Sequence, residues 1–394
     1  MKINTDTKKI EEILTRGTQE IIEKESLRQK LLSGKKLRIK FGIDPTGSQL
    51  HIGHAVPLRK LKQFQDLGHT AILLIGDYTA RIGDPTGRNE ARPMLSKADI
   101  KRNMKTYLLQ AKKAVDIKSL EVRYNSEWYD KKDGQFLMEL TSKITVARIL
   151  ERDDFQKRLK DGSDIQMQEI LYPLLQGYDS VELKADVELG GTDQKFNLLM
   201  GRKLQKRYGQ AEQDVLTMPL LEGTDGERKM SKSYNNYIAL EDSPDEMFGK
   251  TMAIPDRLIK KYFELATDVP MDAVLAYEKR LSAGENPMEI KLALAGALTA
   301  LYYGDKAAKQ AREHFRSVVQ EKERPQQIPE LKPSALDIIT VLAEAKICAS
   351  KSEARQVIAQ GGVKINDKKV ENIAEQVKSG DVVQKGSRFF VKIK

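Results

Sequence analysis

Through about residue 220 the chain alternates two apolar rhythms, and no other feature limits its possible folds as much. Leu37, Ile39, Phe41 and Ile43 alternate with polar or small residues, the period of a half-buried strand. AVPLRKLKQFQDLG follows with apolar residues at helical spacing and stops at Gly68. TAILLIGD (70–77) is a continuous apolar run of buried-strand length. A helical stretch around 97–115 leads to a strand candidate in LEVRYNSEW, and KADVELGG (184–191) and DVLTMPLL (214–221) supply two more. Strands separated by helices predict an α/β fold with a parallel, doubly wound sheet. Such sheets hold ligands beyond the C-terminal ends of their strands.

The rest of the chain reads differently. Residues 1–36 suggest polar amphipathic helix. Past about residue 240 the strand pattern fades, and 245–320 is rich in Ala, Leu, Lys and Glu at helical spacing. Residues 321–335 carry three prolines and suggest a linker. The last stretch has a helical start and a β-like end, DVVQKGSRFFVKIK. Composition excludes several classes. No apolar run approaches the ~20 residues of a membrane span, and MKINTDTKKI has no signal-peptide core. Cys348 is the single cysteine, which leaves no internal disulfide and no Cys-rich zinc site, so a reducing cytoplasm is expected. A net charge of +10 permits a polyanionic partner. Residues 334–394 contribute 11 Lys+Arg against 7 Asp+Glu.

FGIDPTGSQLHIGHAVPL (41–58) holds two of the chain's four histidines. With a strand at 37–43 and a helix from about His54, it is the first strand-to-helix crossover, with Pro57 expected in the first helical turn. Gly42, Gly47 and Gly53 let backbone approach a ligand, and the helix N-terminus favours phosphate. His51 and His54 can both reach a phosphate there. On the pair alone, structural loop histidines are an equally good reading. Farther on, MQEILYPLLQGYDSVEL reads as a helix that puts Tyr172, Gln176 and Asp179 on one face, although a solvated face would look the same. VELGGTDQKFN reads as a strand ending in Gly190–Gly191, followed by Asp193 and Gln194.

HIGH (51–54), taken with GERKMSKSYNNY (226–237), resembles the paired signature of class I aminoacyl-tRNA synthetases in order and in its separation of about 175 residues. That chemistry is attack by a substrate carboxylate on the α-phosphorus of ATP, with pyrophosphate leaving. The nucleophile is already ionised, so catalysis reduces to positioning and charge stabilisation. The resemblance implies that His51 and His54 donate to the phosphates from one side. Lys229 and Lys232, on a loop flanked by Gly223 and Gly226, would close from the other. Gly42, Asp44, Thr46, Gly53, Gly191, Asp193, Met230 and Ser231 are the implied ATP contacts.

YPLLQGYD, RIGDPTGR and GGTDQ resemble the tyrosyl branch of that class over nearly the whole chain. The implied activity is tyrosine–tRNA ligation, through tyrosyl-adenylate, to the 3′ end of tRNA(Tyr). Tyr172, Gln176 and Asp84 would hold the substrate's amino group, Gln194 would line the pocket, and Asp179 would accept the phenolic hydroxyl. Many members carry a tyrosine where this chain has Lys40, which is expected to pair with Asp179 or act through water. SKSEARQVIAQGGVKINDKKV (350–370) resembles the ribosomal-protein S-four type of RNA-binding domain, with Lys351, Ser352, Arg355, Gln356, Lys364 and Asn366 toward RNA. The domains implied are a Rossmann-like catalytic domain at 1–240, an anticodon-stem helical domain at 241–322, a linker at 323–334 and the RNA-binding unit at 335–394. A homodimer is implied, with its interface in an insertion near 120–165 that contains Trp128. Mg²⁺ is expected with ATP, without dedicated protein ligands. Three rivals stand beside this reading: a tryptophanyl enzyme, an RNA-binding protein with a dead nucleotide fold, and another HIGH-bearing nucleotidyltransferase.

Overall fold

The strand-and-helix alternation folds as the pattern requires. The computed structural model describes residues 3–86, 95–317, 328–370, 372–386 and 389–394. The chain divides into two units, Met1–Tyr302 and Tyr303–Lys394.

The first unit is built on β1 (Glu20–Ile22), β2 (Arg38–Ile43), β3 (Thr70–Ile75), β4 (Glu121–Tyr124), β5 (Val187–Gly191) and β6 (Asp214–Met218). Their order across the sheet is β1-β6-β5-β2-β3-β4. All pairs are parallel except β1 with β6. The chain leaves β2 toward β3 and β4, then returns to its other side for β5 and β6. The switch point, where such sheets open a crevice, therefore lies between β2 and β5. β1 corrects the all-helical reading of residues 1–36. Helices Thr7–Thr15 and Lys24–Leu32 flank a strand that needs β6 for its hydrogen bonds. The helical reading of 97–115 is interrupted too: Lys97–Met104 and Tyr107–Ala111 are separate helices.

Helix Met167–Leu183 packs against helix Lys195–Arg207 beside the sheet. Gly177 makes the close crossing possible: a Cβ there would lie 3.0 Å from the backbone carbon of Met200. This fixes the face that carries Gln176 and Asp179. Residues 244–302 are helical, as their composition predicts, beginning with Pro244–Met252 behind a Ser243–Glu246 capping box. They belong to the first unit and tie into its N-terminus. The buried Arg16 guanidinium donates to the carbonyls of Phe263, Glu264 and Thr267.

The second unit pairs helices Ile338–Glu344 and Lys351–Ala359 with a sheet of β7 (Glu330–Leu331), β8 (Val363–Ile365), β9 (Lys368–Lys369), β10 (Val382–Lys385) and β11 (Phe389–Ile393), in the order β7-β11-β10-β8-β9. Its core includes Val341, Leu342, Cys348, Ile358, Val383 and Val391. β7 falls inside the stretch read as a linker, 323–334, because Glu330 and Leu331 pair parallel with β11. Residues 323–327 of that stretch lie outside the described residues.

Candidate active site

A cavity of about 960 Å³ opens at the C-terminal ends of β2, β3, β5 and β6. All the catalytic, nucleotide and amino-acid residues expected from the sequence line it, from Lys40 and Asp44 to Lys229 and Lys232.

At one end, helix Ile52–Asp66 begins on His51. It starts earlier than expected, so Pro57 lies in the second turn, where its missing N–H forfeits the bond to the Gly53 carbonyl. The His51 backbone N–H donates to His54 Nδ1 at 3.3 Å. In a neutral ring this leaves the proton on Nε2 of His54, ready to donate. The two rings lie 3.8 Å apart, and His51 Nδ1 is buried without a hydrogen-bond partner among the described residues. Burial, with Lys232 nearby, pushes the His54 imidazole down to about 3. His51 falls further, through burial and then through His54 and Lys232. Both rings are therefore neutral hydrogen-bonding groups at physiological pH, not cations.

The 229–233 segment reaches this end by backbone pairing. Lys229 bridges Glu222, Met230 N–H donates to the Leu221 carbonyl at 2.8 Å, and Ile52 N–H donates to Ile238 O at 3.0 Å. The buried Asn236 amide accepts from Ser231 N–H at 2.8 Å. Lys232 lies over the 44–49 turn, so close that a Cβ on Gly47 would come within 2.8 Å of its Nζ. Burial lowers its ammonium pKa. Lys229 is half-exposed and pairs with Asp193 at 2.8 Å. The Lys232 ammonium and the two imidazoles thus meet around one turn, while the Lys229 ammonium lines the same cavity beside Asp193.

The other end is polar and buried. Trp128 Nε1–H donates to Asp179 at 3.0 Å, and the Asn125 amide donates to its second oxygen at 3.3 Å. Burial still pushes the Asp179 carboxyl up to about 7. Trp128, in the 120–165 region expected to carry a subunit interface, is buried beside Asp179, where its indole N–H orients an acceptor. Lys40 does not pair with Asp179 either. Its three donors go to Glu188 (2.8 Å), Ser180 Oγ (2.9 Å) and the Gln176 carbonyl (3.1 Å). Lys40 and Glu188 are 0% and 1% exposed, facing each other across the β2–β5 pairing. Breaking such a pair strands a buried charge. Lys40→Met alone is expected to lower unfolding free energy by about 3–5 kcal/mol, with Lys40→Met/Glu188→Gln recovering part of the loss in chemical denaturation.

Between the ends, Tyr172 Oη donates to Asp44 Oδ2 at 2.8 Å, and Thr79 Oγ1 donates to the other oxygen at 2.8 Å. Gln194 Nε2 donates to Asp84 at 2.7 Å. Thr79, Asn125, Arg152, Glu188 and Asn197 were not among the expected site residues.

In the second unit, Lys351, Ser352, Arg355, Gln356, Lys364 and Asn366 are all exposed. Asn366 also has an internal task. It and Asp367 have φ of 49° and 69°, the turn joining β8 to β9, and its amide bonds Asp381 and Val382.

Residues 32–320 match the family of class I tRNA synthetases (W and Y), and residues 338–383 match the S4 domain. The chain is 51% identical over 385 residues to a tyrosine–tRNA ligase of Thermotoga maritima, covering 97% of this chain and 96% of the relative. A tyrosine–tRNA ligase of Dehalococcoides mccartyi is 48% identical over 99% of this chain and all of the relative (100%). Among solved structures, a tyrosyl-tRNA synthetase of Archaeoglobus fulgidus complexed with L-tyrosine shares the fold, with a TM-score of 0.63 over 78% of this chain and 99% of that one at 22% identity.

Proposed function

The chain belongs to the class I tyrosyl-tRNA synthetases, which join L-tyrosine to tRNA(Tyr) with ATP, and from that premise we propose how its residues divide the work. The observation that carries the assignment is the convergence of the 51–54 turn and the 229–233 segment on a cavity whose far end is the buried Asp179.

Tyrosine enters with its phenol toward Asp179, whose carboxylate accepts a hydrogen bond from the hydroxyl while Trp128 and Asn125 hold it in place. Its ammonium group meets Asp84, Tyr172 and Gln176. Its carboxylate oxygen forms a bond to the α-phosphorus of ATP as the bond to the bridging pyrophosphate oxygen breaks. Negative charge builds on the phosphates, where His51 and His54 donate from the helix start and Lys229 and Lys232 supply positive charge opposite. Gly42, Thr46, Gly53, Gly191 and Ser231 bring backbone and hydroxyl groups to the nucleotide, with Asp44 and Asp193 toward the ribose and Met230 toward the adenine. The terminal tRNA hydroxyl then attacks the tyrosyl carbonyl and AMP leaves.

Mg²⁺ is proposed to arrive on the ATP phosphates. Among the described residues no group of three or more His, Cys, Asp or Glu could hold a metal ion. The exposed face of the second unit, Lys351 to Asn366, is read as the RNA contact, with an affinity that falls as salt rises. Leu137, Met138, Val146, Leu159 and Met167 are exposed in or beside the 120–165 region, and a second copy of the chain is the proposed cover. No helix among the described residues is long and apolar enough to cross a membrane, and a cytoplasmic location is proposed. ATP–pyrophosphate exchange with each proteinogenic amino acid tests the assignment. Exchange with tyrosine alone is expected; exchange with tryptophan, or with none, contradicts it.

A further inference from the structure

The insertion that follows β4 sends one buried cation toward the centre of the amino-acid site. Arg152 is 4% exposed. Asp154 holds its guanidinium from one side, with Nε to Oδ1 at 3.0 Å and Nη2 to Oδ2 at 2.8 Å. The rings of Phe155 and Phe196 lie 4.9 and 5.5 Å from it. Its two remaining contacts point into the site: Nη1 to Asn197 Oδ1 at 3.0 Å and Nη2 to Thr86 Oγ1 at 3.1 Å.

A guanidinium can only donate, and this sets the direction of every bond beyond it. Thr86 Oγ1 accepts from Arg152, so its own proton goes to Asp84 Oδ1, at 2.6 Å. Asn197 must present its carbonyl to Arg152, so its amide nitrogen faces the other way. That nitrogen donates to Gln176 Oε1 at 2.9 Å and to Gln194 Oε1 at 3.1 Å. With its oxygen engaged, Gln194 presents nitrogen to Asp84 Oδ2. The three groups are thereby oriented from one atom set. Among the described residues, the donors on Asp84 are all neutral, which leaves its charge for a cationic guest.

We propose that Arg152 is a positioning residue for the ammonium end of the amino-acid subsite, acting through Thr86 and Asn197 to fix the orientation of Asp84, Gln176 and Gln194. It never touches the substrate. The proposal rests on the reading of those three side chains as part of a tyrosine site.

The test uses two competitive inhibitors of tyrosine-dependent exchange: tyramine, which has the ammonium group and no carboxylate, and 3-(4-hydroxyphenyl)propionate, which has the carboxylate and no ammonium group. Arg152→Met is expected to weaken tyramine inhibition about tenfold while changing that of the amine-free acid less than about twofold, with Arg152→Lys intermediate. Asn197→Asp gives a second route should Arg152→Met fold poorly. It keeps a partner for the guanidinium, removes the donors to both glutamines, and is expected to show the same selective loss. Equal weakening of both inhibitors, or of neither, would overturn the proposal, since a merely structural role has no reason to distinguish an amine. A parent enzyme that does not activate tyrosine at all would overturn the underlying reading, and the proposal with it.

Discussion

Replacing Lys232 with alanine is expected to slow tyrosyl-adenylate formation by about 10²–10³-fold, the usual loss when one preorganised donor to developing charge is removed. Tyrosine affinity should stay within about twofold. The size follows from where the ammonium sits. Lys232 is partly buried over the 44–49 turn, within electrostatic reach of His51 and His54, where its charge is poorly screened. Lys229 is a graded comparison. It is 43% exposed and already paired with Asp193, so Lys229→Ala should lose about tenfold. Single-turnover adenylate formation, with tyrosine binding measured separately, checks both.

Asp179→Asn should act at the opposite end. The asparagine fits the space but carries one acceptor, while Trp128 and Asn125 both donate to the existing carboxylate. One donor would then face an N–H, and the phenol would lose its charged acceptor. Hydrogen bonds to charged groups contribute about 1.5–3 kcal/mol, so kcat/KM for tyrosine should fall about 10- to 150-fold with KM for ATP unchanged. The same group predicts a pH dependence. Burial raises its pKa to about 7, and the phenol needs the ionised form, so tyrosine KM should rise as pH falls through about 7. The variant should lack that limb. For the unliganded fold the sign is reversed. The folded carboxyl holds its proton more tightly than the unfolded one, so this group's contribution to stability declines as pH rises from about 4 to about 7. The imidazoles add no acid limb near neutrality, being neutral already.

The residues legible in the sequence are those on short strings. HIGH and KMSKS put several groups on one turn or segment, and Tyr172, Gln176 and Asp179 share a helical face, so spacing brings the members of each string together while the resemblance to the synthetase signatures is what marks them as functional. β3 was legible as a continuous apolar run because both of its faces are buried, and β2 by its alternation of apolar with polar or small residues. What escaped depends on partners far along the chain. Arg152 meets Thr86 and Asn197, Lys40 meets Glu188, and Asn125 meets Thr79 and Asp179, each pair joined only by the sheet and the helices around it. A lone polar residue leaves no periodic trace of such a partner. β1 escaped for a related reason: three residues in a polar stretch become a strand only because β6 offers them an edge.

The central claim is that groups from residues 51–54 and 229–233 act together on one triphosphate. Its most direct measurement is the reverse step: the affinity of pyrophosphate for the enzyme-bound tyrosyl-adenylate, in the parent chain, His54→Ala and Lys232→Ala. Both substitutions should weaken pyrophosphate binding while leaving tyrosine binding intact. Pyrophosphate affinity unchanged in either variant would contradict the account.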